Sequence, residues 1–290
     1  MRVMETKNVA IVGIENSHAE EIIRYLNVEQ PAEVAVRVVA LVAGEDERTR
    51  ELAELGGIEQ IVAESADLLG EIDALIVTSR DGALHRAHAV PFLEAGTPVW
   101  VDKPLAASVA DAEEIVAAAE RGGTVLTSSS ALRWVADTDA VADGLASIGE
   151  LQAVTVTGPA DAGSPYSGIF FYGIHIADVA QRLVPGEPED IDVQQLPGGV
   201  VARYRVGGVL VTLEFVRPDG TGQVPFRATA VGGRGVVSRD IVLGADYVQP
   251  GVDAFAGMLD SGAAPIPTAQ LLAPIAVLES VARASATVAV

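Results

Sequence analysis

The sequence predicts an α/β chain: a doubly wound parallel sheet domain followed by an α+β domain with a mainly antiparallel open sheet. Three observations carry this. The first 130 residues alternate short β-branched runs with longer helical patterns, the order expected of strands joined by right-handed crossovers. Those runs are near-continuous in Val, Ile and Leu, as in strands buried on both faces of a parallel sheet. After Ser128-Ser129-Ser130 the pattern shifts to strand-like runs joined by tight turns. A length of 290 residues is above the usual single-domain size. The expected division is residues 1–130 and 131–290.

Taken in order, Val9 to Val12 reads as the first strand, followed by a helix from about Ser17 to Asn27. Val34 to Val42 and Asp46 to Leu55 form the next pair, then Ala74 to Val77 and a helix near Leu84 to Ala95. Pro98 to Val101, a helix near Val109 to Arg121, and Val125 to Thr127 close the series. Gly96 and Gly122-Gly123 fall where helices should stop. In the second part, a helical stretch from Trp134 to Ser147 leads to a strand from Leu151 to Thr157. A Gly/Pro/Ser-rich loop, Gly158 to Gly168, precedes an apolar helix from Ile169 to Leu183. Val200 to Val206 and Val209 to Phe215, joined by Gly207-Gly208, read as a hairpin. Further strands are expected at Arg227 to Val231 and Val236 to Ile241, and a last helix from Thr268 to Ala286.

Composition narrows the partners. With 40 acidic and 19 basic residues the formal charge is −21, a field that repels nucleic acid and anionic lipid. No cysteine occurs, which excludes disulfides and thiol catalysis. Met1 to Asn8 is polar without a signal-type apolar core, and no run of about 18 apolar residues appears. A soluble, cytoplasmic chain with neither nucleic acid nor membrane as partner is the expectation.

Only two lysines occur, Lys7 in the N-terminal lead-in and Lys103 in Val101-Asp102-Lys103-Pro104, against 17 arginines. Lysine sheds its proton when desolvated and arginine effectively does not, so Lys103 is the first candidate for chemistry. In a doubly wound sheet, ligands bind beyond the carboxyl ends of the strands, first at the first strand-to-helix turn. That turn reads Gly13-Ile14-Glu15-Asn16-Ser17-His18. A G-x-G-x-x-G fingerprint would put glycines at 13, 15 and 18, and only Gly13 is present. Glu15 adds bulk and like charge where backbone should approach a pyrophosphate. Asn16 and Ser17 are good caps for a helix N-terminus that attracts anions, and His18 can donate to a phosphate. Glu45, beyond the second strand, can bind a ribose hydroxyl, which favours NAD, or serve as a dipole-compensating surface acid. Arg48 and Arg50 can instead attract a 2′-phosphate.

The alternating first domain, Val99-Trp100-Val101-Asp102-Lys103-Pro104-Leu105-Ala106 and Gly173-Ile174-His175-Ile176-Ala177-Asp178 together resemble the Gfo/Idh/MocA oxidoreductases. Their signatures are Glu-Lys-Pro after the fifth strand and a G-x-H-x-x-D helix in the second domain. Thr78-Ser79-Arg80-Asp81 with His85, and Glu94-Ala95-Gly96, also resemble the family. The resemblance implies a Rossmann-type dinucleotide-binding domain with NAD or NADP as cofactor. It also implies hydride transfer on a sugar, cyclitol or related polyol. Carried over, Lys103 would hydrogen-bond or protonate the substrate oxygen, with Pro104, often cis in this family, fixing the backbone after it. Asp102, replacing the usual Glu, would lie with Thr78, Ser79 and His85 on the cofactor side. His175 would be the general acid/base, and Asp178, three residues on, would orient it. Phe171 stands where the family often carries an Asp, and Tyr172 projects near the His175 face, for substrate binding or ordinary packing.

His85 and His88 have a spacing that can share a metal, but no third ligand is evident and none is assigned. Ser128 to Ser130 lack a G-x-S-x-G setting. Arg133 can hold an anionic or polyol substrate, or form a surface salt bridge. Two further readings stay open: a non-redox acid/base enzyme, or a catalytically silent ligand-binding protein on the same scaffold. The family resemblance also implies a homodimer or homotetramer through the second-domain sheet.

Overall fold

The computed structural model describes residues 5–221 and 223–287, so Met1–Met4 of the polar lead-in lies outside the described residues. The chain divides into two compact units. The first holds the described residues up to Ala106, Ala110–Ser128 and Val248–Ile266. The second holds Ala107–Val109, Ser129–Tyr247 and the described residues from Pro267 onward.

In the first unit six strands form one sheet: β1 (Lys7–Val12), β2 (Val36–Val42), β3 (Gln60–Val62), β4 (Ala74–Val77), β5 (Val99–Asp102) and β6 (Leu126–Ser129). Their order is β3-β2-β1-β4-β5-β6, with parallel pairing of β1 with β2 and β4, β2 with β3, and β4 with β5. Every residue of β4 and β5 is buried, including Asp102 at the tip of β5. The order reverses between β1 and β4, so the tips of these two strands form the switch point at which such sheets take ligands. Lys7 is not in a lead-in but opens β1, where its backbone N–H donates to Ala35 O at 2.8 Å.

Helices α1 (Ser17–Ile23), α2 (Asp46–Gly56), α3 (His85–Glu94) and α4 (Val109–Gly122) follow their strands. Beyond α1 the backbone widens into a π-helical stretch, Arg24–Glu29. Buried Asn27 anchors it to the sheet, donating to Val38 O and Gly56 O and accepting from Val38 N–H. A further helix, α7 (Gln249–Ser261), returns to this unit from a region expected in the second domain. Its Pro250 sits in the first turn, where proline is tolerated because that N–H has no intrahelical partner. Buried Val252, Phe255 and Met258 form its inward face, Phe255 meets Trp100 at 5.5 Å, and Tyr25 donates to Asp253 at 2.8 Å.

The second unit contains α5 (Ala136–Gly144), β7 (Leu151–Pro159), α6 (Phe170–Leu183), β8 (Glu189–Leu196), β9 (Gly199–Val206), β10 (Val209–Val216), β11 (Phe226–Gly232), β12 (Gly235–Ile241) and α8 (Thr268–Thr287). The sheet order is β12-β11-β7-β10-β9-β8. Every neighbouring pair is antiparallel except β7 with β10, so the sheet is mainly antiparallel and the Gly207-Gly208 hairpin is present. Alternate residues such as Val154, Val156, Val211, Leu213 and Phe215 are buried, which leaves one face open. Helices α6 and α8 pack together. Most of α6 is buried, as expected for a helix apolar on nearly all sides.

Candidate active site

In the first unit the site grows from the strand tips. Gly13, just past β1, has φ +83°, and a Cβ there would lie 2.2 Å from Ser79 N. Only glycine fits a turn pressed this closely against the end of β4. Thr78 donates its hydroxyl to Gly13 O at 2.9 Å, tying the two tips together. The Glu15 carboxylate accepts from the Arg80 backbone N–H at 2.7 Å, and the Arg80 guanidinium donates to Glu15 O at 2.6 Å. The second fingerprint position is therefore fastened to the loop after β4, with a cation beside its charge.

Asn16 caps α1 by accepting from His18 N–H at 3.1 Å, and its amide nitrogen lies 3.4 Å from Asp102 Oδ2. Exposed Ser17 opens α1. His18 Nδ1 pairs with the same Asp102 oxygen at 2.8 Å. The third fingerprint position and the residue before Lys103 thus form one buried cluster. Burial alone would raise the Asp102 carboxyl, but the charge and hydrogen bond of His18, with help from Lys103, hold it below the usual carboxylate range.

Lys103 is 6% exposed. Burial pushes its ammonium below the ordinary lysine range; Asp102 opposes that shift and Arg80 adds to it. The Lys103–Pro104 bond is cis. The fully buried His85 ring bridges two carbonyls, with Nδ1 2.7 Å from Pro104 O and Nε2 2.8 Å from Ser79 O. His85 therefore fixes the backbone around Lys103 against the β4 tip. Glu45 caps α2, accepting from Glu47 N–H at 3.2 Å and Arg48 N–H at 2.9 Å, and those bonds lower its carboxyl. Arg48 donates to Ile14 O at 3.3 Å and to Glu20 at 3.0 Å.

The second unit holds a buried network around α6. His175 Nδ1 lies 2.7 Å from Ser130 Oγ. The Ser130 backbone N–H donates to Asp178 Oδ2 at 2.8 Å. Asp178 Oδ1 accepts from Arg133 Nη1 at 2.7 Å, and Arg133 Nη2 donates to Gln270 at 2.6 Å. Burial pushes the Asp178 carboxyl up, against the pull of Arg133 and the Ser130 amide. Asp178 thus reaches His175 through Ser130, and the Arg133 ion pair is buried rather than on the surface. Ser130 caps the turn Ala131–Arg133 by accepting from Leu132 N–H. That capping position before Ala-Leu-Arg was the only sequence sign of a role that reading had not assigned. Tyr172, 45% exposed, and Phe226 flank the His175 ring, each at 5.5 Å between centroids. Phe171 meets Tyr172 edge-on at 5.0 Å. Tyr166, Phe171, Tyr172, Phe226 and Leu243 line a cavity of about 1040 Å³, an aromatic wall suited to the C–H faces of a ring.

Residues 7–130 match the family model for Gfo/Idh/MocA, an oxidoreductase family with an NAD-binding Rossmann fold. The chain is 29% identical over 221 residues to 1,5-anhydro-D-fructose reductase of Ensifer adhaerens, covering 75% of this chain and 60% of that protein. It is 43% identical over 84 residues to inositol 2-dehydrogenase 1 of Saccharopolyspora erythraea, covering 28% and 25%. The matched stretches thus span less than two thirds of either relative. Among solved structures, GenD2 from gentamicin A biosynthesis, crystallised with NAD, superposes with a TM-score of 0.82 at 16% identity, covering 99% of this chain and 96% of that one. A myo-inositol dehydrogenase from Corynebacterium glutamicum gives 0.79 at 17% identity, covering 97% of each. At such identities the likeness shows the shared fold.

Proposed function

From the match of residues 7–130 to the Gfo/Idh/MocA oxidoreductase family, we propose that the chain transfers hydride between NAD or NADP and a small hydroxylated or keto substrate, a sugar, cyclitol or related polyol. The observation that carries this is the buried Lys103, its ammonium weakened by burial, following Asp102 at the tip of β5. The first unit suits a dinucleotide: Gly13 sits at the switch point where a side chain has no room, and Glu15 is occupied with Arg80. Gly13, Asn16, Ser17, His18, Thr78, Ser79 and Asp102 would hold the nucleotide, with Glu45 toward the ribose. His85 would act at one remove by fixing the strand tips. When bound, the nicotinamide supplies the hydride donor or acceptor.

The protein's own part is to handle the proton. In alcohol oxidation the neutral Lys103 amine takes the hydroxyl proton; in the reverse direction its ammonium returns it. Burial makes the neutral form accessible, and Asp102 keeps the ammonium from being lost altogether. His175 would hydrogen-bond a substrate oxygen, and the aromatic wall with Tyr172 would take the carbon face of a ring. Arg133 and Asp178 hold this arrangement by fixing Ser130. Phe171, in place of a carboxylate, favours a second reading in which the same groups carry out non-redox acid/base chemistry.

The two readings separate in a nucleotide-reduction assay over a polyol panel. The redox reading expects NAD⁺ or NADP⁺ reduction with at least one polyol, and Lys103→Ala lowering kcat by about a hundredfold or more. A near-normal rate in that variant would remove Lys103 from the chemistry.

A further inference from the structure

The second unit contains a buried hydroxyl whose proton has one acceptor. Ser130 is fully buried, and its Oγ has two hydrogen-bond partners: the Leu132 N–H at 3.1 Å and His175 Nδ1 at 2.7 Å. A backbone amide only donates, so Oγ accepts from Leu132. Two arrangements remain for the bond to histidine. If the ring donated through Nδ1–H, Oγ would accept twice and its own proton would be buried without an acceptor. Leaving a buried donor unmade costs more than an ordinary hydrogen bond gains. If the hydroxyl donates to a bare Nδ1, the Ser130 hydroxyl and Nδ1 are both satisfied, and the proton of the neutral ring sits on Nε2.

Ser130 is also held from turning away. Its backbone N–H donates to Asp178 Oδ2, whose other oxygen is held by Arg133, and its carbonyl accepts from Arg133 N–H at 3.0 Å.

We infer that Ser130 is a positioning residue that fixes His175 as the Nε2–H tautomer, so that His175 meets a substrate oxygen as a hydrogen-bond donor and not as a base. The catalytic consequence rests on the oxidoreductase reading. On that reading the hydroxyl proton goes to a base other than His175, which only donates to a substrate oxygen. Phe171 agrees with this division, because no carboxylate stands at that position to draw the ring proton.

The test is long-range nitrogen–proton NMR of the histidine rings in the full chain without nucleotide, at a pH where the rings are neutral. Four histidines are present, and His175→Gln identifies the signal. The expected spectrum has its N–H at Nε2 and a bare Nδ1. Ser130→Thr should keep that pattern, while Ser130→Ala should lower the Nε2–H to Nδ1–H ratio by about tenfold. An N–H at Nδ1 in the unaltered protein, or an unchanged pure Nε2–H form in Ser130→Ala, overturns the inference. Should Ser130→Ala not fold, the unaltered protein and Ser130→Thr decide the point. Failure of the oxidoreductase reading is seen separately, as absence of nucleotide binding with the tautomer intact.

Discussion

At the scale of residues, the proposed chemistry turns on how Lys103 is desolvated. Its ammonium lies below the ordinary range because it is buried and because Arg80 is near, with Asp102 opposing. The sign for activity follows: the base form exists above its pKa, so oxidation of an alcohol should accelerate as pH rises through a value below that of an exposed lysine. Lys103→Arg should remove this rise, since arginine stays protonated; a variant keeping the same pH–rate profile would assign the titration to another group. Glu15 gives a second outcome. Read as a sequence, a carboxylate at the second glycine position opposes a pyrophosphate, and reverting it should tighten binding. In the structure it anchors Arg80, so Glu15→Gly should leave NADH affinity unchanged or weaker. Tightening by tenfold would show that the carboxylate does face the phosphates. Lys103 was legible from composition alone, because lysine is so scarce here. Ser130 was not, since a serine gains its role only when a distant helix brings a histidine to its hydroxyl. The Asp102–His18 pairing was hidden for the same reason, its partners lying 84 positions apart in the chain.

At the scale of elements, strands buried on both faces were legible and polar or very short ones were not. β1, β4 and β5 announce themselves by the apolar runs Val9–Val12, Ala74–Val77 and Val99–Val101. β3 has three residues, too few for a period, and β8 reads Glu-Asp-Ile-Asp-Val-Gln-Gln-Leu, an edge strand whose outward charges mask its alternation. α7 was missed because Gln249-Pro250-Gly251 resembles a turn, although proline at a helix start is favourable. That helix is fixed to the first unit by Phe255, fully buried against Trp100. Phe255→Ala should cost about 3–5 kcal/mol in chemical denaturation. A loss under about 1 kcal/mol would mean that α7 contributes little to this unit.

At the scale of the whole molecule, a parallel sheet comes first in the chain and a mainly antiparallel sheet second, in step with the change of pattern near residue 130. The return of Val248–Ile266 to the first unit leaves no such mark, because it depends on packing between segments far apart in the chain. Among the described residues no helix is long and apolar enough to cross a membrane. A formal charge of −21 sets a field against any dinucleotide, so the proposed binding would have to come from local features such as Gly13, His18 and the amides at the switch point. The central claim is therefore tested most directly by titrating the full chain with NADH and with NADPH, following nucleotide fluorescence and tryptophan quenching. The account predicts saturable binding of at least one nucleotide with Kd below about 1 mM. No binding of either at millimolar concentration would contradict it.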